Sequence, residues 1–504
     1  MNHIRRNLIA NFLGKGWSAL MGILFIPLYI KFMGIEAYGL VGFFTTLQAL
    51  FALLDLGLTT TLNRELARYS ALSGKSEEMQ DLVRTLEIFY WGMAFCIGGL
   101  VLLFSSFLAH EWIKAETLSV DVVQQSVRLM GLVLAFQWPL SFYSGGLIGL
   151  QKQVLFNFLN AIWYTLRFAG GALILWLLSS TVLVFFQWQI VVSMISTGFM
   201  AFALWRSLPP SDGHAKFRVS IAGSVWRFAA GMSGISVTVV LLTQLDKIIL
   251  SKMLSLEFFG YYTLAWTVAN GLTILIGSVF TAMFPVFSQY SATADLERLK
   301  YLYHRACQLM SVLILPLTIL IALFAQEILA VWIRNPVTVA NTHLLIGLLI
   351  IGTGLNGLMT LPYALQLAHG WTSLSFYTNI ISIVILIPLM VVATSTYGAI
   401  GAAIIWVLLN SGYVTISIQV MHRRLLKGEQ WRWYFEDVFL PFIAALSVIV
   451  IGRFFIQVST PFPVMLAGIA IVFLLSLILA ALAAPQIRIW ILGTIGKFRS
   501  AYDF

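Results

Sequence analysis

Charge is what this sequence has least of. Only 10% of its 504 residues are Asp, Glu, Lys or Arg, while 60% are hydrophobic; a soluble globule carries about 25% charged residues. A water-soluble fold is excluded, and no polar stretch between the apolar runs is long enough to fold separately in water. Cysteine is nearly absent: Cys96 and Cys307 both fall within apolar runs, which gives neither a disulfide framework nor a cysteine metal site. There is no glycine loop ending in Lys and Ser/Thr, so the chain carries no P-loop ATPase. HExxH and paired His/Cys clusters are missing too, and the seven histidines are scattered. No cofactor or metal is expected. Despite a net charge of +10, no compact Lys/Arg patch with interleaved aromatics suggests a nucleic-acid surface.

What is there is a succession of apolar runs of membrane-spanning length. They lie near 8–30, 37–60, 84–109, 127–148, 155–178, 182–205 and 224–250, then near 258–285, 306–330, 341–366, 372–393, 397–421, 438–458 and 462–484. Each exceeds the roughly 10 residues of an outer-membrane strand, and helices are the remaining way to satisfy a backbone in lipid. The expectation is an all-α polytopic membrane protein of about fourteen spans. The first run is too long for a signal-peptide core and no small-residue cleavage site follows it, so an uncleaved first helix is expected. With the N-terminus inside, 21 of the 30 Lys and Arg fall on the inner side; Lys31, Lys114, Arg128, Lys247, Lys252, Arg334 and Arg453 fall outside, and Lys15 and Arg167 lie within spans. The positive-inside rule then places both termini in the cytoplasm.

The chain also repeats itself. At an offset of 221 positions KFMGIEAYG, from Lys31, aligns without a gap on KMLSLEFFG, from Lys252, and the same register pairs Arg6 with Arg227, Tyr69-Ser70-Ala71 with Tyr290-Ser291-Ala292, and Arg84 with Arg305. Six spans separate the copies, so they share one orientation, as in transporters whose two bundles rock around a midplane site. The expected division is a six-span lobe over 1–222, a second over 223–436, and two appended spans with a tail over 437–504.

Helical spacing gathers polar groups onto faces: Asn7, Asn11, Lys15, Ser18, Gly22 and Tyr29 in span 1; Thr45, Gln48, Asp55 and Thr59 in span 2; Ser233, Ser236, Thr243 and Lys247, beside Asp246, in span 7; Thr263, Thr267, Asn270, Gly277 and Thr281 in span 8. Span 5 carries Asn157, Asn160, Tyr164 and Arg167 on one face, followed by Gly170 and Gly171. Arg167 is roughly 20 Å along the helix from the basic loop at 151–153. A charge at that depth costs at least about 2.5 kcal/mol and calls for water, a counter-ion or an anionic substrate. Polar stripes also serve helix packing, and Lys15, about two turns from the inner end, can snorkel. Asp55 and Asp246 suit ion coupling or, nearer their helix ends, a salt bridge.

The opening NLIANFLGKGWSALMGILFIPLYIKFMGIEAYGLVGFFTTLQALFALLDLGL, followed by Arg64, resembles that of polysaccharide-transporter flippases, and GLIGLQKQVLFNFLNAIW, from Gly146, resembles their segment joining spans 4 and 5. These belong to the multidrug/oligosaccharidyl-lipid/polysaccharide exporter superfamily. The resemblance implies two six-helix lobes around a cavity, with spans 13 and 14 appended. It implies translocation, without catalysis, of an undecaprenyl-diphosphate-linked oligosaccharide across the bacterial inner membrane for O-antigen, capsule or exopolysaccharide assembly. A polysaccharide polymerase and a chain-length regulator are the implied partners. Cations would meet the diphosphate, here Lys15 and Arg167; Asn11, Gln48, Asn160, Tyr164 and Asn270 are the further implied substrate contacts, and Asp55 and Asp246 the ion-coupling candidates. A lipid II flippase, a drug or cation antiporter, a membrane glycosyltransferase or polymerase, and a structural assembly partner are the competing classes.

Overall fold

The computed structural model describes residues 2–72, 74–211, 213, 215–219, 243–293, 295–456 and 461–502. Eleven helices among these residues are long and apolar enough to cross a membrane. The difference from fourteen has three sources. Most of span 7, with Arg227, Ser233 and Ser236, lies outside the described residues. Span 4 is divided, because Pro139 cannot donate a backbone N–H and stands at the first position of a new helix. Spans 11 and 12 follow one another without an intervening loop over Ser373–Arg424, and Gly398, at φ 57°, ψ −139°, breaks the helix between them. A Cβ on Gly401 would collide with the Ala393 carbonyl, eight residues back, so the chain folds onto itself at this point.

The chain forms two compact units, Met1–Gly260 and Tyr261–Phe504. The first contains α1 (Asn2–Leu24), α2 (Ile26–Met33), α3 (Ile35–Ala52), α4 (Leu58–Ser70), α5 (Ser76–Phe107), α6 (Val120–Gln137), α7 (Pro139–Gly149), α8 (Gln153–Thr165), α9 (Gly171–Leu177) and α10 (Val182–Ser207). Its packing pairs α1 with α8, α5 with α6, α4 with α7, and α10 with both α6 and α7. Ser119 and Thr181 cap α6 and α10, accepting the N–H of Val122 and Val184.

The repeat explains one contact inside this unit. A Cβ on Gly39 would strike the carbonyl of Leu256, and a Cβ on Gly260 would strike the carbonyl of Ile35. At an offset of 221, Gly39 corresponds to Gly260 and Ile35 to Leu256, so one close approach is made twice, reciprocally. The loop after α5 reinforces it. Leu256 N–H donates to Lys114 O at 2.7 Å, Trp112 Nε1 to Ser251 Oγ at 3.0 Å, and buried Glu36 accepts the N–H groups of Glu116, Thr117 and Leu118.

The second unit receives α11 (Leu256–Asn270), most of which belongs to it, then α12 (Leu272–Ala292), α13 (Leu296–Leu323), α14 (Pro336–Ala368), α15 (Ser373–Gly412), α16 (Leu440–Phe455), α17 (Phe462–Ala483) and α18 (Pro485–Tyr502). α13 is its hub, packed by α12, α14, α16 and α17. Asp295 and Asn335 cap α13 and α14, the latter with Pro336 in the first turn.

Candidate functional site

Span 5 is α8 and α9 joined by a π-helical turn, Leu166–Gly170, and Arg167 sits in that turn. Arg167 as a residue is half-buried, and its Nη2 donates to Ser193 Oγ on α10 at 3.0 Å. Among the described residues no carboxylate pairs with it. A planar fork of five N–H donors held in lipid beside one hydroxyl retains capacity for an anion, and phosphate geometry matches it bidentately. Tyr164 lies against Phe168, ring centroids 5.9 Å apart, and Asn160 is half-buried one turn earlier. The three residues thus follow one face toward the π-turn.

The span 1 face divides into two roles. Asn11 is used in packing: its Oδ1 accepts Asn157 Nδ2 at 2.6 Å and its Nδ2 donates to Gln153 Oε1 at 2.9 Å, tying α1 to α8. Lys15, one turn on, is exposed and makes no ion pair among the described residues.

A second polar locus forms where two helices are interrupted. α3 ends in a 3-10 turn, Leu53–Asp55, followed by Leu56 at φ 48° and Gly57 at φ 80°; α6 gives way to α7 at Trp138 and Pro139. A cavity of about 390 Å³ lies there, lined by Gln48, Ala52, Asp55, Thr59, Leu134, Gln137, Trp138 and Ser141. Gln48 Nε2 donates to Gln137 Oε1 at 2.8 Å. Trp138 Nε1 donates to Phe51 O at 3.1 Å, satisfying a carbonyl at the end of α3. Thr59 Oγ1 donates to Asp55 Oδ1 at 2.5 Å, and Tyr90 OH donates to the same oxygen. Gln48 and Asp55 were expected from sequence; the structure adds Gln137, Trp138 and Ser141 around them.

The remaining candidates stand apart from this cavity's lining. Asp246 is buried against Lys247, Nζ to Oδ1 3.1 Å, and Lys247 also donates to Thr243 O at 2.9 Å. Asn270, in the second unit, ends α11 in an exposed position, its Oδ1 at 3.5 Å from Thr273 Oγ1. Among the described residues no group of His, Cys, Asp and Glu is arranged to hold a metal ion.

The model of the polysaccharide biosynthesis protein family matches residues 4–291. The chain belongs to that family. Its relatives include a putative O-antigen transporter of Shigella flexneri, 22% identical over 403 residues, covering 80% of this chain and 94% of the relative. The lipopolysaccharide biosynthesis protein WzxC of Escherichia coli (strain K12) is 23% identical over 233 residues, 45% of each chain. Among solved structures, the lipid II flippase MurJ in an inward closed conformation superposes with a TM-score of 0.71 at 14% identity, covering 94% of this chain and 98% of MurJ. An inward-facing multidrug resistance MATE family transporter of the MOP superfamily gives 0.68 at 15% identity, covering 81% and 94%. The fold is that of the MurJ and MATE transporters.

One buried polar cluster of this family member was not foreseen from sequence. His304 on α13 lies fully buried with Nδ1 2.6 Å from Asp437 Oδ2 and Nε2 3.2 Å from Glu429 Oε2. Gln308 donates to Asp437 Oδ1 at 2.9 Å and accepts Gln486 N–H at 2.8 Å. The partners are more than 100 residues apart in sequence, and no local pattern joins them.

Proposed function

We propose that this protein is a flippase: it moves an undecaprenyl-diphosphate-linked oligosaccharide repeat unit from the cytoplasmic to the periplasmic leaflet of the bacterial inner membrane by alternating access, with both termini cytoplasmic. The unit would serve O-antigen, capsule or exopolysaccharide assembly, handed on to a polymerase and its chain-length regulator. No covalent bond is made or broken.

The observation that carries the reading is Arg167, an arginine within a span whose guanidinium hydrogen-bonds to Ser193 and to no carboxylate among the described residues, in a chain of the polysaccharide biosynthesis family. It takes the diphosphate, with Lys15 as a point charge nearer the cytoplasmic end. Asn160 and Tyr164, which precede Arg167 on its face, contact the adjoining sugar. The cavity of Gln48, Gln137 and Ser141 supplies donors and acceptors for sugar hydroxyls, and interrupted helices are where transporter substrate sites are found. Asp55, which lines that cavity, suits ion coupling better than Asp246, whose carboxylate faces Lys247. Asn11 acts through helix packing, and Asn270, exposed at the end of α11, offers the second unit an amide of its own for sugar hydroxyls.

Deletion of the gene should strand the lipid-linked repeat unit on the cytoplasmic leaflet, with rescue by the intact gene. An unchanged leaflet distribution would refute flipping, and accumulation of lipid II instead would reassign the substrate.

A further inference from the structure

Span 5 changes its winding at Arg167, and the surrounding side chains account for the change. In an α-helix each carbonyl accepts the N–H four residues on; a π-turn shifts this to five and leaves carbonyl capacity unused. Here three consecutive carbonyls meet donors from other helices. Trp188 Nε1 donates to Leu166 O at 2.9 Å, Gln189 Nε2 to Arg167 O at 3.4 Å, and Tyr29 OH to Phe168 O at 2.7 Å. In lipid, where no water can replace a missing donor, such caps favour the wider turn over the regular one.

The glycines after Arg167 make the caps fit. A Cβ on Gly170 would meet the Trp188 ring at 2.6 Å, and one on Gly171 would meet Tyr29 Oη at 3.0 Å. Ser193, which takes the Arg167 guanidinium, follows Gln189 by one turn of α10. One helix therefore caps the turn and receives the side chain that the turn aims.

We propose that Tyr29, Trp188 and Gln189 are positioning residues: by capping Leu166, Arg167 and Phe168 they hold the π-turn, and so fix the direction in which Arg167 meets the substrate diphosphate. This rests on the flippase reading above. Reversion of the turn to α-helix swings the following residues by about 100°, one residue's rotation.

The test uses the full chain in lipid nanodiscs and farnesyl diphosphate as a polyprenyl diphosphate probe. Tyr29→Phe deletes one donor and keeps the ring; Trp188→Phe deletes the second and replaces the indole with a smaller aromatic ring; Gln189→Leu deletes the third. Each variant is expected to raise the probe's Kd about three- to tenfold, the worth of one net hydrogen bond. In an Arg167→Ala background, where Kd is already raised, the same changes should add nothing; a purely structural role would lower Tm without that dependence on Arg167. Unchanged Kd in the cap variants, or effects that add to Arg167→Ala, overturn the positioning role and leave the diphosphate contact standing. Unchanged Kd in Arg167→Ala itself overturns both. If Tyr29→Phe does not fold, the two α10 variants decide the matter.

Discussion

Replacing His304 by alanine should destabilise the second unit severely, and the size of the effect follows from the ring's surroundings. His304 stands between Asp437 and Glu429 with a side chain wholly shielded from solvent, as is that of Asp437. Its removal leaves Asp437 with Gln308 at 2.9 Å as its remaining side-chain donor among the described residues, while Glu429 keeps Lys300 at 3.5 Å and Arg432 at 3.8 Å. Breaking a buried pair from one side costs about 3–5 kcal/mol. For a unit of some 240 residues this corresponds to a fall in Tm of about 6–20 °C, at 2–4 °C per kcal/mol. Thermal unfolding of the detergent-purified protein measures it. The double variant His304→Leu, Asp437→Leu removes both buried partners together and should cost less than the sum of the two single changes. A Tm shift of under about 2 °C for His304→Ala, less than 1 kcal/mol on the same scale, or strict additivity in the double variant, would refute the reasoning.

Arg167→Ala should abolish polysaccharide export at normal protein level, and Arg167→Lys should restore part of it, because a lysine supplies the charge without the bidentate fork; polymer recovered from the cell surface measures both. Gln137→Leu deprives the Gln48 amide of its acceptor in the cavity, so export should fall with a stability loss of about 1–3 kcal/mol, read from export and Tm together. Gly39→Val and Gly260→Val each drive a Cβ into a backbone carbonyl that has no side-chain freedom to yield. Both should lower folded yield by similar amounts in size-exclusion chromatography, and tolerance of one alone would contradict the reciprocity of the contact.

Much of the fold was legible because lipid imposes one simple demand, about 20 apolar residues per crossing. What the runs could not convey was how helices break inside that demand. Pro139 lies in the apolar run 127–148 and still splits it, because a missing N–H counts for more than hydrophobicity there. Gly398 breaks the helix between the two expected spans through its own backbone conformation, with no polar loop to announce the turn. The repeat was legible as matching letters, but its physical content was not. Gly39 and Gly260 recur because each accommodates the other copy's carbonyl, a contact between residues more than 200 positions apart.

The candidate site was legible where a single residue was costly in its place. Arg167 stood out because a charge deep in a span demands a reason, and Asp55 and Gln48 because polar groups shared a face. Asn11 belonged to the same kind of face as Lys15, yet it is spent on Asn157 and Gln153; spacing cannot separate a stripe that packs from one that faces a cavity. Of the residues that cap the turn at Arg167, Trp188 and Gln189 gave no signal, and Tyr29 was visible only as the last member of the span 1 polar face. Trp188 reads as an ordinary aromatic of a membrane helix, and its part, like that of Tyr29, emerges only when the π-turn supplies carbonyls to cap. Gly170 and Gly171 were the visible trace: two small residues beside an arginine, placed where Trp188 and Tyr29 approach the turn. An arginine followed closely by paired glycines within a span therefore marks a place where neighbouring helices can come close enough to set the direction of the charge.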